Sequence, residues 1–468
     1  MATTTTDDSF VTGRLFGTSG IRGIVNKDLS IELCERVGKS LGSIFPLHAE
    51  ICIATDTRQS RNMVKTAVCK GLLSTGGNVT DMGILPTPAL ALLTREMGFD
   101  TGIMITASHN PPEYNGIKLF NKDASGYSKA QEEMIERTYN SGTFRQGKGI
   151  SKTASNMKQL YFSFISDKLS PRNNSSHTLK LLIDPGNGAA SIFAGEIFRR
   201  LGYNVVTVND EPDGLFPGRN PEPKGDTLKG TVAFLKEQNA DVAICFDGDA
   251  DRVVFCDREG FLGFDEMTTF ISAAKVRDSG KKKVATTVET GCLLDVALKS
   301  IGGEVARGKV GDVNVAYLVK EIDAALGIEG VGVYIFPELG YYPDSIFAAL
   351  YLLNNLESIE QIRDFIRALP KLSLKKGKVQ CPNNIKQYVM DRLKNVTPAQ
   401  IMFNGQQPNI NTIDGLRVEF VDSWMLIRPS GTEPIVRIIA ESFSPLQTDA
   451  LITEGKNLVE SIISCCNK

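Results

Sequence analysis

Short unbroken apolar runs alternate along this chain with polar loops and stretches of helical periodicity. Near the front, Glu50-Ile51-Cys52-Ile53-Ala54 reads as a buried strand and Asp56-Thr57-Arg58-Gln59-Ser60 as its exit loop. Met63 to Leu73 follows as a helix, then Gly76-Gly77 and a new strand at Asn78. The plan returns at Leu179 to Ile183, with the loop Asp184 to Gly188, a helix from Ile192 to Leu201, Gly202, and a strand from Asn204 to Val208. A third copy runs through the strand Lys283 to Thr287, a loop to Gly291, a helix from Leu293 to Ile301, and Gly302-Gly303. Strand, polar loop, helix, glycine stop and strand together make the βαβ pattern. Unbroken apolar strands between helices predict a parallel-rich sheet covered on both faces. Recurrence at roughly 100 to 130 residues is domain-sized, so the chain reads as three similar α/β domains and not as a solenoid.

The last hundred residues break the pattern. A basic stretch from Lys371 to Lys378 reads as a loop, followed by a helix around Ile385 to Leu393. Short strands follow at Leu416 to Phe420, Trp424 to Arg428 and Ile435 to Ile439, then an amphipathic helix from Leu446 to Ile463. Strands clustered between helices predict a smaller α+β domain. The expected division is 1–155, 156–259, 260–370 and 371–468, with Ser170 to Ser176 as a further candidate linker.

Composition narrows the function. Among 468 residues, 52 Lys and Arg against 54 Asp and Glu leave a net charge of −2. No bulk of positive charge is present for a nucleic acid partner, although a small anion needs only a local cluster. No run approaches the ~18 apolar residues of a membrane helix. The start, Met-Ala-Thr-Thr-Thr-Thr-Asp-Asp, has neither the basic nor the apolar segment of a secretory signal and is expected to be a frayed end. The nine cysteines include no Cys-x-x-Cys spacing, and most sit in apolar runs such as Ile51-Cys52-Ile53. That pattern fits a reducing, cytoplasmic setting better than a disulfide framework or a zinc ribbon. With only three histidines, a mechanism built on several of them is excluded.

Four loops carry candidate chemistry. Thr106-Ala107-Ser108-His109-Asn110-Pro111-Pro112 follows an apolar strand and leads on through Tyr114-Asn115-Gly116 to Lys118. It reads either as a turn or as a nucleophilic or phosphate-carrying Ser108, with His109 and Lys118 for proton transfer or charge stabilisation. Asp247-Gly248-Asp249-Ala250-Asp251-Arg252 places three carboxylates in one tight loop, where they repel unless a cation joins them. A few hard oxygen ligands suit Mg²⁺; an EF-hand fits poorly, because Arg252 and Arg258 stand where its turn glycine and last glutamate belong. A solvated acidic turn is the alternative. Arg428-Pro429-Ser430-Gly431-Thr432-Glu433-Pro434 with Arg437 suits a phosphate dianion, or is a turn with chance arginines. Phe16-Gly17-Thr18-Ser19-Gly20-Ile21-Arg22-Gly23 implies close backbone approach, with Arg22 facing an anion.

In this order the four motifs resemble those of the α-D-phosphohexomutase superfamily, which includes phosphoglucomutases, phosphomannomutases and phosphoglucosamine mutases. They extend from residue 16 to 437, so the resemblance covers nearly the whole chain. It implies a heart-shaped enzyme of four domains around a central cleft, three α/β and one α+β. It implies that Ser108 is a phosphoserine, and that Asp247, Asp249 and Asp251 hold Mg²⁺ together with an oxygen on Ser108. Arg22 and Arg252 would neutralise the moving phosphoryl group, with His109 and Lys118 handling the hydroxyl proton. Arg428, Ser430, Gly431, Thr432 and Arg437 would grip the other phosphate. The implied reaction interconverts hexose 1-phosphate and hexose 6-phosphate of glucose, mannose or glucosamine. A hexose 1,6-bisphosphate is its intermediate and activator, and closure of the last domain its gate. The implied partner is a small hexose phosphate, with no nucleic acid and no membrane; the oligomeric state is open.

One stretch departs from the family. Where Gly-Glu-x-Ser-Gly-His or Glu-Glu-Asn-Gly-Gly is usual, this chain has Glu329-Gly330-Val331-Gly332-Val333. Glu329 still offers an acceptor to sugar hydroxyls, while Val331 and Val333 replace a polar residue and a His or Gly. Arg307 and Lys309, in Arg307-Gly308-Lys309-Val310-Gly311-Asp312, are further sugar-contact candidates or an exposed turn. This departure motivates two alternatives: a non-catalytic sugar-phosphate sensor, and a bisphosphate synthase or phosphatase that keeps the phosphoserine and metal loops.

Overall fold

The structure is a computed structural model that describes residues 14–17, 20–169, 179–356, 358–396, 401, 403, 405–430 and 433–466. The expected frayed start, Thr18 and Ser19, the candidate linker Ser170 to Ser176, and Gly431 and Thr432 lie outside the described residues.

Among the described residues, twenty strands form four sheets. The first takes β1 (Ile21–Ile24), β2 (Glu50–Thr55), β3 (Asn78–Ile84), β4 (Thr101–Ile105), β5 (Tyr114–Asn121) and β6 (Ser151–Thr153) in the order β1-β5-β4-β2-β3-β6. The second takes β7 (Lys180–Asp184), β8 (Asn204–Thr207), β9 (Val242–Phe246), β10 (Val253–Asp257) and β11 (Gly260–Phe261) in the order β11-β10-β9-β7-β8. The third takes β12 (Lys283–Thr287), β13 (Glu304–Gly308), β14 (Leu326–Glu329) and β15 (Val333–Ile335) in the order β13-β12-β14-β15.

One four-stranded unit underlies all three sheets. Its first strand lies between its second and third, both parallel to it, and the fourth folds back antiparallel on the third. The turn from third to fourth strand therefore always leaves the carboxyl edge of the parallel strands, where ligands of open α/β sheets collect. Those three turns hold Ser108, the aspartates of 247–251, and Gly330 to Gly332.

The fourth sheet is wholly antiparallel: β16 (Ser373–Gln380), β17 (Asn409–Asn411), β18 (Leu416–Glu419), β19 (Ser423–Pro429) and β20 (Ile435–Ser442), in the order β16-β20-β19-β18-β17. Helices Asn383–Lys394 and Pro445–Cys466 complete this α+β unit and share its separate apolar core.

Two expectations need correction. The basic stretch Lys371 to Lys378 is not a loop: from Ser373 it is the edge strand β16, paired with β20 over eight residues. Lysines on an exposed edge discourage pairing with other chains, so the charge that suggested a loop instead protects a strand. Tyr114 to Lys118 likewise belongs to β5, where Lys118 pairs with Met104. Its turn-forming Asn115-Gly116 is accommodated because Gly116 lies against the backbone of Ile21 and Thr106, where a side chain has no room.

One apolar core runs through the first three units. At its centre lie helices Thr87–Glu96 and Ser345–Asn354, buried on every side from Thr87 to Thr94 and from Ser345 to Leu353. A helix apolar all round cannot face water, and these two tie the units into one body. Among the described residues, no helix is long and apolar enough to cross a membrane. All nine cysteines are free thiols.

Candidate active site

Ser108 sits at the end of β4 with φ +51°, a left-handed conformation that a residue with a side chain rarely adopts. The chain is held there from below. Its amide donates to Thr106 Oγ1 at 2.8 Å, and Thr106 Oγ1 donates to Asp56 Oδ2 at 2.7 Å. Arg58, fully buried, pairs with Asp56 at 3.0 Å and donates to the carbonyls of Ser108, Asn110, Pro111 and Tyr114. One guanidinium thus satisfies four carbonyls of the turn. Asp56 and Arg58 were read from the sequence only as a polar exit loop; their role arises because β2 and β4 are neighbours.

The second turn lies against the first. Ser108 Oγ donates to Asp247 Oδ2 at 2.8 Å and lies 3.2 Å from His109 Nδ1. A Cβ on Gly248 would fall 2.3 Å from the Ser108 carbonyl oxygen, so only glycine lets the two loops meet. Asp247, Asp249 and Asp251 are buried, and one oxygen from each lies within 4.8 Å of the others. Lys118 Nζ reaches Asp249 Oδ2 at 2.8 Å and Asp251 Oδ2 at 2.7 Å. Burial opposes its charge, but the two carboxylates outweigh burial and hold the ammonium above its ordinary pKa. Burial, then Asp251 and Asp249, pushes Asp247 well up. Three buried carboxylates face two cations, Lys118 and Arg252, so ionisation of all three would leave negative charge uncompensated. Moreover, Asp249 Oδ1 and Asp251 Oδ1 are buried and accept no hydrogen bond, although Arg252 Nε lies 3.9 Å from Asp251 Oδ1. Orphaned carboxylate oxygens are costly unless a cation takes them, and hard oxygens in this number suit a divalent one.

A cavity of ≈ 720 Å³ opens above these loops, bordered by Arg22, His109, Lys118, Asp251, Arg252 and Glu329 among others. Arg22 Nη1 donates to Asn110 Oδ1 at 2.9 Å, while its Nε is buried and unpartnered. His109 is held well below its ordinary pKa by burial, then by Arg252 and Arg22. Glu329 accepts from the Gly311 amide at 2.8 Å and is pushed up to about 7, by burial first and then by the negative charge of Asp312. Val331 and Val333 both border the cavity, as does Gly330. Gly332 (φ +85°) packs on the Val253 carbonyl oxygen, joining this third turn to the strand after the aspartates. Arg307 lies outside that border: it pairs with Asp295 and donates to the Gly291 carbonyl at 3.1 Å. Lys309 is exposed and also outside it.

The fourth sheet closes the cavity with Leu374, Lys376 and Ile439. On its face, Lys378, Arg437 and Arg428 align across β16, β20 and β19. Side-by-side cations repel, so this row favours a bound anion. Arg428 meets Glu289 at 3.0 Å and Asp414 at 3.1 Å, and Arg437 meets Glu433 at 2.9 Å. Ser430 is buried, with its Oγ accepting from the Glu433 amide at 3.1 Å. Lys376 and Lys378 escaped the sequence reading because their stretch passed as a loop; the alternation of Leu374, Lys376 and Lys378 was the available signal. Against the third unit the sheet is fixed by Arg417, stacked 3.9 Å from the Trp424 ring centre and donating to the carbonyls of Val288 and Thr290.

Four family models, described as phosphoglucomutase/phosphomannomutase α/β/α domains I, II and III and C-terminal domain, match residues 13–146, 159–260, 265–372 and 378–454. A probable phosphoglucosamine mutase of Pyrococcus horikoshii is 38% identical over 456 residues, covering 96% of this chain and 99% of the relative. A solved phosphoglucomutase/phosphomannomutase family protein of Burkholderia thailandensis superimposes with a TM-score of 0.84 at 26% identity, over 96% of this chain and 97% of its own. A putative phosphomannomutase of Thermus thermophilus does so with a TM-score of 0.78 at 26% identity, over 95% and 98%.

Proposed function

The chain belongs to the phosphoglucomutase/phosphomannomutase family, and from that premise we propose how its cleft interconverts hexose 1-phosphate and hexose 6-phosphate. The enzyme is an intramolecular phosphotransferase of the phosphohexomutase type. The observation that carries the mechanism is the buried Ser108 Oγ, 2.8 Å from Asp247 and 3.2 Å from His109, which itself borders a cavity lined by all four sheet units.

In this reading Ser108 carries a phosphoryl group. Transfer breaks the bond from phosphorus to Oγ and forms one to a sugar hydroxyl; the hydroxyl's proton passes by way of neutral His109, 3.2 Å from Oγ, to the departing serine oxygen, while Lys118 stays an ammonium and stabilises charge. The resulting bisphosphate turns over and returns its other phosphate to Ser108, and the sugar oxygen regains a proton. Arg22 and Arg252 neutralise the phosphoryl in flight, which such a reaction needs more than covalent help. Asp247, Asp249, Asp251 and a Ser108 oxygen hold Mg²⁺, which supplies charge neutralisation at the phosphoryl group when bound. Arg428, Ser430 and Arg437, with Gly431 and Thr432, grip the phosphate that is not transferring. Glu329 accepts hydrogen bonds from the sugar. Arg307, engaged with Asp295, acts on the sugar only through that loop, and Lys309 only if the last domain closes further. The domain division that accompanies this reading is 1–155, 156–259, 260–370 and 371–468, in a cytoplasmic enzyme.

The substrate we favour is glucosamine phosphate: the Pyrococcus horikoshii relative carries that activity in its name, and Glu329, Asp312 and Asp265 give the cavity an acidic side toward an ammonium. Phosphorus NMR with Mg²⁺ and catalytic glucose 1,6-bisphosphate, offering glucosamine, glucose and mannose 1-phosphates separately, tests it. A 6-phosphate signal is expected, strongest for glucosamine. Phosphorylation of Ser108 without turnover of any sugar would establish the sensor instead, and accumulation of bisphosphate or inorganic phosphate the synthase or phosphatase.

Two predictions follow from the cavity wall. Arg428 must exchange Glu289 for phosphate, so Glu289→Gln lowers KM for the hexose phosphate by about two- to fivefold, the range for a half-exposed ion pair; an unchanged or raised KM refutes that exchange. Glu329 is protonated below about pH 7 and ionised above it. A charged acceptor binds sugar hydroxyls and an ammonium more strongly, so KM falls as pH rises from 6 to 8. Both wild type and Glu329→Gln share the titration of the substrate's own phosphate. Their KM ratio is therefore the readout, expected to change by roughly tenfold over that interval; a flat ratio removes Glu329 from substrate binding.

A further inference from the structure

Each aspartate of the 247–251 loop takes a hydroxyl hydrogen bond on one oxygen only, and two of those hydroxyls lie outside the four motifs. Ser108 donates to Asp247 Oδ2, Thr87 Oγ1 donates to Asp249 Oδ2 at 2.5 Å, and the Tyr342 hydroxyl donates to Asp251 Oδ2 at 2.8 Å. Lys118 lies against the same Oδ2 atoms of Asp249 and Asp251. The Oδ2 edge of both carboxylates is thereby closed. Their Oδ1 atoms are buried and accept no hydrogen bond, Asp251 Oδ1 having only Arg252 Nε at 3.9 Å, which points to a need on the other edge.

We propose that Thr87 and Tyr342 are positioning residues that fix the carboxylates of Asp249 and Asp251 so that their free Oδ1 oxygens are presented to the divalent cation. The proposal rests on the reading of Asp247, Asp249 and Asp251 as the metal site. A carboxylate tied at one oxygen can no longer rotate freely, and groups that orient metal ligands in this way contribute to affinity without touching the metal.

Both anchors are rigid. Thr87 opens the helix Thr87–Glu96, buried as far as Thr94, and its amide also donates to the Asp249 carbonyl at 2.9 Å. Tyr342 is 6% exposed, and its ring lies edge-on to Phe120 with centroids 4.8 Å apart, so the hydroxyl is held where it is. Two residues on, Asp344 caps the second buried helix, Ser345–Asn354. Ser345 Oγ donates at 2.5 Å to the carbonyl of Ala250, itself strained at φ +60°. The aspartate loop of the second unit is therefore clamped from the first by Thr87 and from the third by Tyr342 and Ser345. A metal site so built is complete only when three units are docked together, which couples metal affinity to their packing.

The test titrates the full-length protein with Mn²⁺ alone, following free Mn²⁺ by electron paramagnetic resonance. Thr87→Val, which keeps the branched shape, and Tyr342→Phe, which keeps the ring, are each expected to weaken Mn²⁺ binding about tenfold. Thr87→Ser, which restores a hydroxyl, is expected to lie within about twofold of wild type. The Mg²⁺ dependence of turnover should shift in parallel, with KM for hexose phosphate at saturating Mg²⁺ moving by less than about threefold. Mn²⁺ affinity within twofold of wild type in both Thr87→Val and Tyr342→Phe, with melting temperatures retained, overturns the proposal. Should Thr87→Val fail to fold, Tyr342→Phe decides alone. Asp249→Asn separates the two layers. If it binds Mn²⁺ as wild type does, the metal reading itself falls and the proposal with it. If it loses Mn²⁺ while the hydroxyl variants do not, only the positioning role is lost.

Discussion

Ser108→Ala is expected to leave a folded protein whose mutase turnover is at least about 10³-fold below wild type, because removing the group that takes and returns the phosphoryl removes the reaction path and not merely one contact. The fold tolerates the change: the Oγ hydrogen bonds only to Asp247 and His109, while the turn is held through the backbone by Thr106 and Arg58. Binding of a hexose bisphosphate persists, since the arginines of Arg428 and Arg437 stand on a different sheet. Coupled assays with the enzyme freed of wild-type contamination check both halves. A residual rate within tenfold of wild type would mean that another nucleophile carries the phosphoryl.

The second large effect is one of stability. Arg58→Met strips a buried charge that pairs with Asp56 and serves four carbonyls, leaving Asp56 ionised or protonated among unsatisfied groups. Breaking a buried pair on one side costs about 3–5 kcal/mol. For a unit of this size that corresponds to a fall of roughly 10 °C in the melting of the first unit. Calorimetry resolves it; a shift below about 2 °C would show that water or neighbouring donors replace the guanidinium. Because the same group holds Ser108 at φ +51°, the folded fraction should also lose turnover, and the Asp56→Asn variant should share both effects in milder form.

Much of this was legible in one dimension. The βαβ periodicity predicted the three related units, and β12 occupies the residues that the apolar run indicated. The chemistry of the loops was legible because it depends on residue type at short spacing: three carboxylates in five residues, a serine before an Asn-Pro-Pro turn, two arginines flanking a Ser-Gly-Thr loop. Other features were illegible for physical reasons. The strand character of β5 and β16 comes from ladders with β4 and β20, partners that override the local preferences of Asn-Gly and of lysine. Thr87 stands in a Pro-Thr-Pro segment that reads as a helix start, and Tyr342 in Gly-Tyr-Tyr-Pro, which reads as a turn; neither spacing points to an aspartate 162 or 91 residues away. Arg58 had the same disguise.

The sequence by itself determined which side chains could do phosphoryl chemistry, because charge, nucleophilicity and ligand hardness belong to residue types, and it determined the three repeated βαβ units, because burial imprints a period on each. Only the tertiary structure decided which oxygen of Asp249 and of Asp251 accepts no hydrogen bond, that Lys118 shares their Oδ2 edge, that Arg307 is taken up by Asp295, and that Arg428 is held by Glu289. These are pairings among groups far apart in the chain. Their geometry is set by how twenty strands and the two buried helices pack, and no local period records it.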